Sequence, residues 1–185
     1  ERRRLRMQLI RRIALLLLLP LTAVAGVLPD DRADLMYHSY DGGGVTIEGE
    51  GLLPIRDAGE GPAAAMLAAL DDAGLRPADV GMVVAHANGT RNSDASEAAA
   101  IRRVFGDDAP PVTGFKWAFG HLIAASGMLD TVLALEALRA GSVPGIATLR
   151  EPDPAIARIP VSARAQAPRS DVALIVSRGF GGTNA

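Results

Sequence analysis

The sequence predicts an α/β fold with a mixed sheet. Two short, wholly apolar runs, 81–85 and 171–177, have the length and side chains of buried strands. Segments with helical spacing lie between and before them, at 62–73, 93–105 and 122–140. Both apolar runs, and a shorter one at 112–114, lead into turns containing glycine. Strands that alternate with helices at this spacing build β-α units.

Composition narrows the class further. The chain has 185 residues, of which 49% are hydrophobic, enough for one domain with a sizeable core. A formal charge of -2 carries no nucleic-acid footprint. There is no cysteine, so disulfides and cysteine metal sites are excluded. The histidines and carboxylates show no metal-ligand spacing, the glycine loops lack dinucleotide or P-loop spacing, and Gly-x-Ser-x-Gly is absent. The chain begins with Glu and stops on a glycine-rich turn, so a fragment or one part of a split protein is expected.

The first 34 residues read as a separate basic and apolar segment, with 35–185 as the domain proper. Six arginines (Arg2, Arg3, Arg4, Arg6, Arg11 and Arg12) precede an uncharged run at 13–28 that contains Pro20. A basic flank before an apolar run resembles an export signal or a membrane anchor, although a spanning helix needs about 20 apolar residues and Pro20 would kink it. A buried element of the domain and a stretch foreign to the native fold are the other readings. His38, between Tyr37 and Ser39, reads as a surface residue.

From there each element has its own signal. Residues 41–44, Asp-Gly-Gly-Gly, form a turn or flexible loop, and 45–51 alternates as a half-exposed strand does. Pro62 opens a helix that Gly74 stops, with Met66, Leu67 and Leu70 on one face. The strand at 81–85 delivers His86 into a turn of Ala87, Asn88 and Gly89. Ser93 reads as the N-cap of a helix to Phe105, with Ser96 and Glu97 in its first turn. The strand 112–114 leads through a loop holding Lys116 and His121 into a buried, Ala- and Leu-rich helix from Leu122. His121 then lies near a helix N-terminus, where the dipole favours neutral imidazole. Pro144 prevents that helix from resuming, 160–163 is a candidate strand, and 171–177 enters the final glycine loop.

Three loops stand out together. Val-Val-Ala-His-Ala-Asn-Gly-Thr covers 83–90, Lys-Trp-Ala-Phe-Gly-His covers 116–121, and Ser-Arg-Gly-Phe-Gly-Gly-Thr-Asn covers 177–184. In this order they resemble the C-terminal half of the β-ketoacyl-acyl carrier protein synthases, the condensing enzymes of fatty acid and polyketide synthesis. The Lys-x-x-x-Gly-His and Gly-Phe-Gly-Gly-Thr-Asn motifs are specific in combination. The resemblance, from about residue 45 onward, implies half of a thiolase-like αβαβα fold.

It also implies roles. His86 and His121 match the two histidines that stabilise the enolate formed when malonyl thioester loses carbon dioxide. Lys116 matches the active-site lysine, paired with an acid on the following helix; the family has Glu there and this chain has Asp130. Thr90 matches a threonine along the phosphopantetheine arm, and Phe180, between Gly179 and Gly181, matches a gating phenylalanine. Asp94 and Glu97 match acidic positions that tie the helix start to the loop. Ala87 and Asn88 separate His86 from Gly89-Thr90, where the family runs His-Gly-Thr. Trp117 and Phe119 replace small or hydroxyl residues and would narrow a pocket, and Arg178 would bring charge near the acyl channel.

The expectation is a decarboxylative Claisen condensation that lacks its own nucleophilic cysteine. No cofactor is implied beyond substrates carried on the phosphopantetheine of acyl carrier protein. The implied partners are that carrier protein and a second subunit, in a homodimer or in a heterodimer with a cysteine-bearing synthase half, in the cytoplasm. Two alternatives stand beside it. One is a non-catalytic partner subunit like the chain length factors, although both histidines are kept. The other is a membrane-associated binding module using 13–28.

Overall fold

A computed structural model of the chain describes residues 12–15, 42–47, 58–179 and 183–185. The α/β class holds. Four strands, β1 (Arg12–Leu15), β3 (Met82–Val84), β4 (Val112–Thr113) and β5 (Val172–Ile175), form a parallel sheet in the order β1-β5-β3-β4. Strands β2 (Thr46–Ile47) and β6 (Thr183–Asn184) form a separate antiparallel pair. The expected mixture of strand directions is thus divided between two sheets among the described residues.

The parallel sheet is covered on both faces, which is why its strands read as unbroken apolar runs rather than alternating ones. Val83, Leu174 and Val172 point to one side, into a core shared with Met66 and Leu70 of α1 (Glu60–Asp72) and Ile101 of α2 (Arg91–Phe105). Met82, Val84, Ala173 and Ile175 point to the other, against Ala134, Leu135 and Ala137 of α4 (Ser126–Arg139). Full burial of one such large side chain contributes about 1.5–3 kcal/mol. In a parallel sheet all carboxyl ends lie along one edge, where the loops after β3, β4 and β5 meet, and ligands bind at such an edge.

Several boundaries differ from expectation. Helix α1 starts at Glu60 and, as expected, ends just before Gly74, but Leu67 is 47% exposed. The buried face runs through Pro62, Ala63, Met66, Ala69 and Leu70, and Leu67 lies about 100° round the helix from Met66. The glycines before β2 pack rather than flex: a Cβ on Gly44 would stand 2.3 Å from the Ala65 carbonyl oxygen. Helix α2 starts at Arg91, with Thr90 rather than Ser93 at the N-cap position, and Ser93 is buried inside it. The candidate strand at 160–163 reduces to one bridge from Val161 to Val112, because Pro160 has no N–H and Val161 spends its own on the Ile159 carbonyl.

Helix α4 begins at Ser126, after a short helix α3 (Lys116–Phe119) and a 3-10 turn at Ile123–Ala125. It is half-exposed rather than buried, with Met128 and Val132 facing outward. Residues 122–125 carry helical apolar spacing, but their N–H groups are spent elsewhere: Leu122 donates to Ser126 Oγ and Ile123 to His121 Nδ1. Ile123 has φ 53°, a rare value for a β-branched residue.

The strand β1 brings the start of the apolar run at 13–28 into the main sheet beside β5. No helix among the described residues is long and apolar enough to cross a membrane. His38, the remainder of the 45–51 strand, Phe180 and Gly181 lie outside the described residues.

Candidate active site

The turn after β3 is held by a buried carboxylate. Glu97, reaching back from α2, accepts the His86 N–H at 2.6 Å and the Ala87 N–H at 2.9 Å. Glu97 thus ties the helix to the loop, as expected. Burial pushes its carboxyl up to about 7, against the opposing pull of those two donors and of Arg178. Ala87 takes φ 41° in this turn, and Gly114 lets the neighbouring loop lie against it: a Cβ there would come within 2.7 Å of the Ala87 Cβ. Asp94 accepts the Gly89 N–H, burial raises its carboxyl, and its Oδ1 has no partner among the described residues.

His86 and His121 meet edge to face with ring centroids 5.2 Å apart. His86 is 2% exposed, and its Nδ1 accepts the Arg178 N–H at 3.3 Å. His121 is more open, and its Nδ1 accepts the Ile123 N–H at 3.0 Å. An accepting Nδ1 on a neutral ring places the proton on Nε2. Both imidazoles therefore carry Nε2–H as a donor, with no partner for it among the described residues.

Their charge state follows from their surroundings. Burial first, then the Lys116 cation, His121 and Arg178, lower His86 to about 3. Desolvation and then Lys116 lower His121, with Asp130 opposing. Both rings are neutral donors at neutral pH, although His121 stands five residues ahead of Ser126 rather than in the first turn of α4. Desolvation and the nearby Lys116 cation lower both rings.

Lys116 and Asp130 are paired. Nζ stands 2.9 Å from Oδ2, with the side chains 5% and 3% exposed. Asp130 reaches the lysine despite its shorter side chain; its carboxyl is raised by burial, against the pull of that cation.

Thr90 is exposed at the head of α2, where its hydroxyl donates to Asn88 Oδ1 at 2.8 Å. Arg178 does not point along a channel: its guanidinium donates to Asn184 Oδ1 and to the Ser93 carbonyl. Gly179 donates to the Thr183 carbonyl, while Ser177 and Ala185 exchange two bonds, so the final loop is a hairpin. Trp117 lines an apolar cavity of about 200 Å³ with Ala85, Ala87, Ile101, Ile146 and Ile159, behind the His86 turn. Phe119 is 56% exposed and borders no part of that cavity. Among the described residues no group of carboxylates and histidines could hold a metal ion.

Sequence reasoning missed Ser126. Its Oγ lies 3.2 Å from His121 Nδ1, a contact that a Ser at the head of an expected helix interior does not advertise.

Residues 37–150 match the family described as beta-ketoacyl synthase, C-terminal domain. Nodulation protein E of Rhizobium leguminosarum bv. trifolii is 36% identical over 146 residues, covering 77% of this chain and 36% of that protein. A beta-ketoacyl synthase from Burkholderia phymatum STM815 superposes with a TM-score of 0.73 at 26% identity, over 83% of this chain and 38% of that one. The ishigamide ketosynthase/chain length factor gives a TM-score of 0.70 at 30% identity, over 78% of this chain and 35% of that one. The chain spans little more than a third of the length of these relatives.

Proposed function

Since the chain belongs to the β-ketoacyl synthase family through its C-terminal domain, we propose that it supplies the enolate-stabilising half of a decarboxylating condensation site. The observation that carries this reading is the pair of adjacent neutral imidazoles, each with Nδ1 accepting a backbone N–H and Nε2–H without a partner among the described residues.

A malonyl thioester carried on the phosphopantetheine arm of acyl carrier protein would lie with its thioester oxygen between the two Nε2–H groups. When the bond from the α-carbon to the carboxylate breaks, carbon dioxide leaves and the electron pair spreads onto the α-carbon and that oxygen. Two fixed donors in a desolvated site stabilise the developing charge without reorganising. The enolate carbon then attacks the carbonyl of the acyl thioester on the nucleophilic cysteine, that cysteine's thiolate leaves, and the β-ketoacyl product stays on the carrier protein. Lys116 serves this step indirectly: its cation lowers both imidazoles, so they remain donors without becoming imidazolium.

The chain holds no cysteine, so the thiol that carries the acyl group comes from residues outside it. That implies assembly with a cysteine-bearing synthase half, in a homodimer or heterodimer, in the cytoplasm. Thr90, exposed beside the His86 turn, would meet the phosphopantetheine arm, and the resemblance gives the gating role to Phe180 with Gly179 and Gly181, of which 180 and 181 lie outside the described residues.

The test is carbon dioxide release from malonyl-acyl carrier protein by the native protein, alongside its intact mass. His86→Ala and His121→Ala should each cut the rate by about 100-fold or more. Rates equal to the parent in both variants would sink the proposal. The missing cysteine and the likeness to a ketosynthase/chain length factor complex favour a second reading, a non-catalytic partner subunit. That reading predicts no decarboxylation attributable to these histidines, with stable association with a cysteine-bearing synthase subunit.

A further inference from the structure

We infer that Ser126 is a positioning residue, one that fixes the tautomer of His121 by donating its hydroxyl hydrogen to Nδ1. The consequence for catalysis rests on the synthase reading above; the hydrogen bond itself does not.

Ser126 Oγ stands 3.2 Å from His121 Nδ1 and accepts the Leu122 N–H at 2.9 Å. The Ile123 N–H, at 3.0 Å from the same Nδ1, requires a lone pair there, so Nδ1 carries no proton to give to the serine. The direction is therefore from hydroxyl to ring. Ser126 is 4% exposed, so solvent competes little for its hydrogen. Leu122 N–H, the Ser126 hydroxyl and His121 Nδ1 form a chain in which each bond polarises the next.

The ring needs this second donor because of where the first comes from. The Ile123 N–H belongs to a β-branched residue at φ 53°, a conformation that costs on the order of 1–3 kcal/mol and is not held by packing, since Ile123 is 67% exposed. Ser126, at the first residue of α4, is anchored by the helix. Among the described residues His86 has no counterpart to Ser126; its buried ring accepts the Arg178 N–H. The charged and titratable groups facing His121 are Lys116 from α3, Asp130 from α4 and His86 from the turn after β3.

The experiment is nitrogen NMR of the imidazoles in the native protein labelled at histidine, with His121→Ala used for assignment. The native protein should show a pyrrole-type Nε2 and a pyridine-type Nδ1 at His121. Ser126→Ala should shift both resonances toward a mixture of tautomers and raise the pH at which His121 titrates, because a donor to the neutral form is lost. Ser126→Thr, which keeps the hydroxyl, should restore the native pattern. Decarboxylation by Ser126→Ala should fall about tenfold in kcat with KM unchanged, a part of the loss that follows removal of a donor outright. If Ser126→Ala does not fold, Ser126→Cys, a near-isostere with a weak donor, should give the same shift. Resonances and titration unchanged in the folded variant would overturn the assignment. A tautomer shift with no decarboxylation by the parent would support the Ser126 bond and sink the synthase reading instead.

Discussion

Glu97 holds the His86 turn at a cost that depends on pH. Its carboxyl moves from 4.5 to about 7 on folding, so the folded state binds a proton more tightly than the unfolded chain. The stability this gives is complete below pH 4.5 and is lost as pH rises through about 7. The difference amounts to about 3 kcal/mol. His86 works in the opposite sense, since its ring is lowered to about 3 and its contribution is lost as pH falls below 6.5. Between pH 4.5 and 6.5 the two slopes oppose each other, so Glu97→Gln should leave stability rising with pH over that range in urea melts, with the acid limb unchanged. It should also lower stability throughout, because one of its two backbone donors loses its acceptor. An unchanged pH slope would show that Glu97 does not titrate in this range. At this scale the sequence was informative where a residue type is chemically rare. Lys116 is the only lysine of the chain, and each of the two histidines follows a strand. Ser126 was illegible because a serine at a helix start is ordinary, and its partner lies five residues back across a turn with left-handed backbone.

Among the elements, the close contact between the turns after β3 and β4 is the most exposed to substitution. A Cβ at position 114 would overlap the Ala87 Cβ at 2.7 Å, and alanine cannot rotate out of the way. Gly114→Ala should cost about 1–3 kcal/mol, read as a lower urea midpoint at constant slope. Adding Ala87→Gly removes the opposing Cβ and suits φ 41°, so the double variant should recover most of the loss. No recovery would mean that the two turns are not in contact. The strands β3 and β5 were legible because burial on both faces writes itself as an unbroken apolar run. The start of α4 was not, since residues 122–125 are apolar with helical spacing yet give their N–H groups to a ring nitrogen and a hydroxyl. The N-cap of α2 was misplaced by three residues because Ser93 is the stronger capping type, whereas the helix starts after Thr90 with no side-chain cap and buries Ser93.

For the whole molecule, the informative feature is an open apolar face. Of the eight large hydrophobic residues that are exposed among those described, six lie between Trp117 and Val132, on α3, the 3-10 turn and the outer side of α4. Scattered exposure would mean nothing; concentration beside the site marks a surface that associates. The native protein is therefore expected to sediment as an oligomer, and Met128→Glu with Val132→Glu to shift it to the monomer with the circular dichroism of its helices retained. A monomeric parent would remove this reading. The location of this face was not legible in the sequence, because α4 reads as uniformly apolar and only packing shows which side Ala134, Leu135 and Ala137 take.

The strand order carries a last consequence. β5 lies between β1 and β3, and its Val172 pairs with Arg12 of β1 from the far end of the sequence. A ribosome completes β1, β3 and β4 long before it reaches β5, and until then only β3 and β4 can pair. Until β5 is made, β1 and β3 lack the neighbour that joins them. Loss of residues 172–175 would therefore split the middle of the sheet rather than trim its rim.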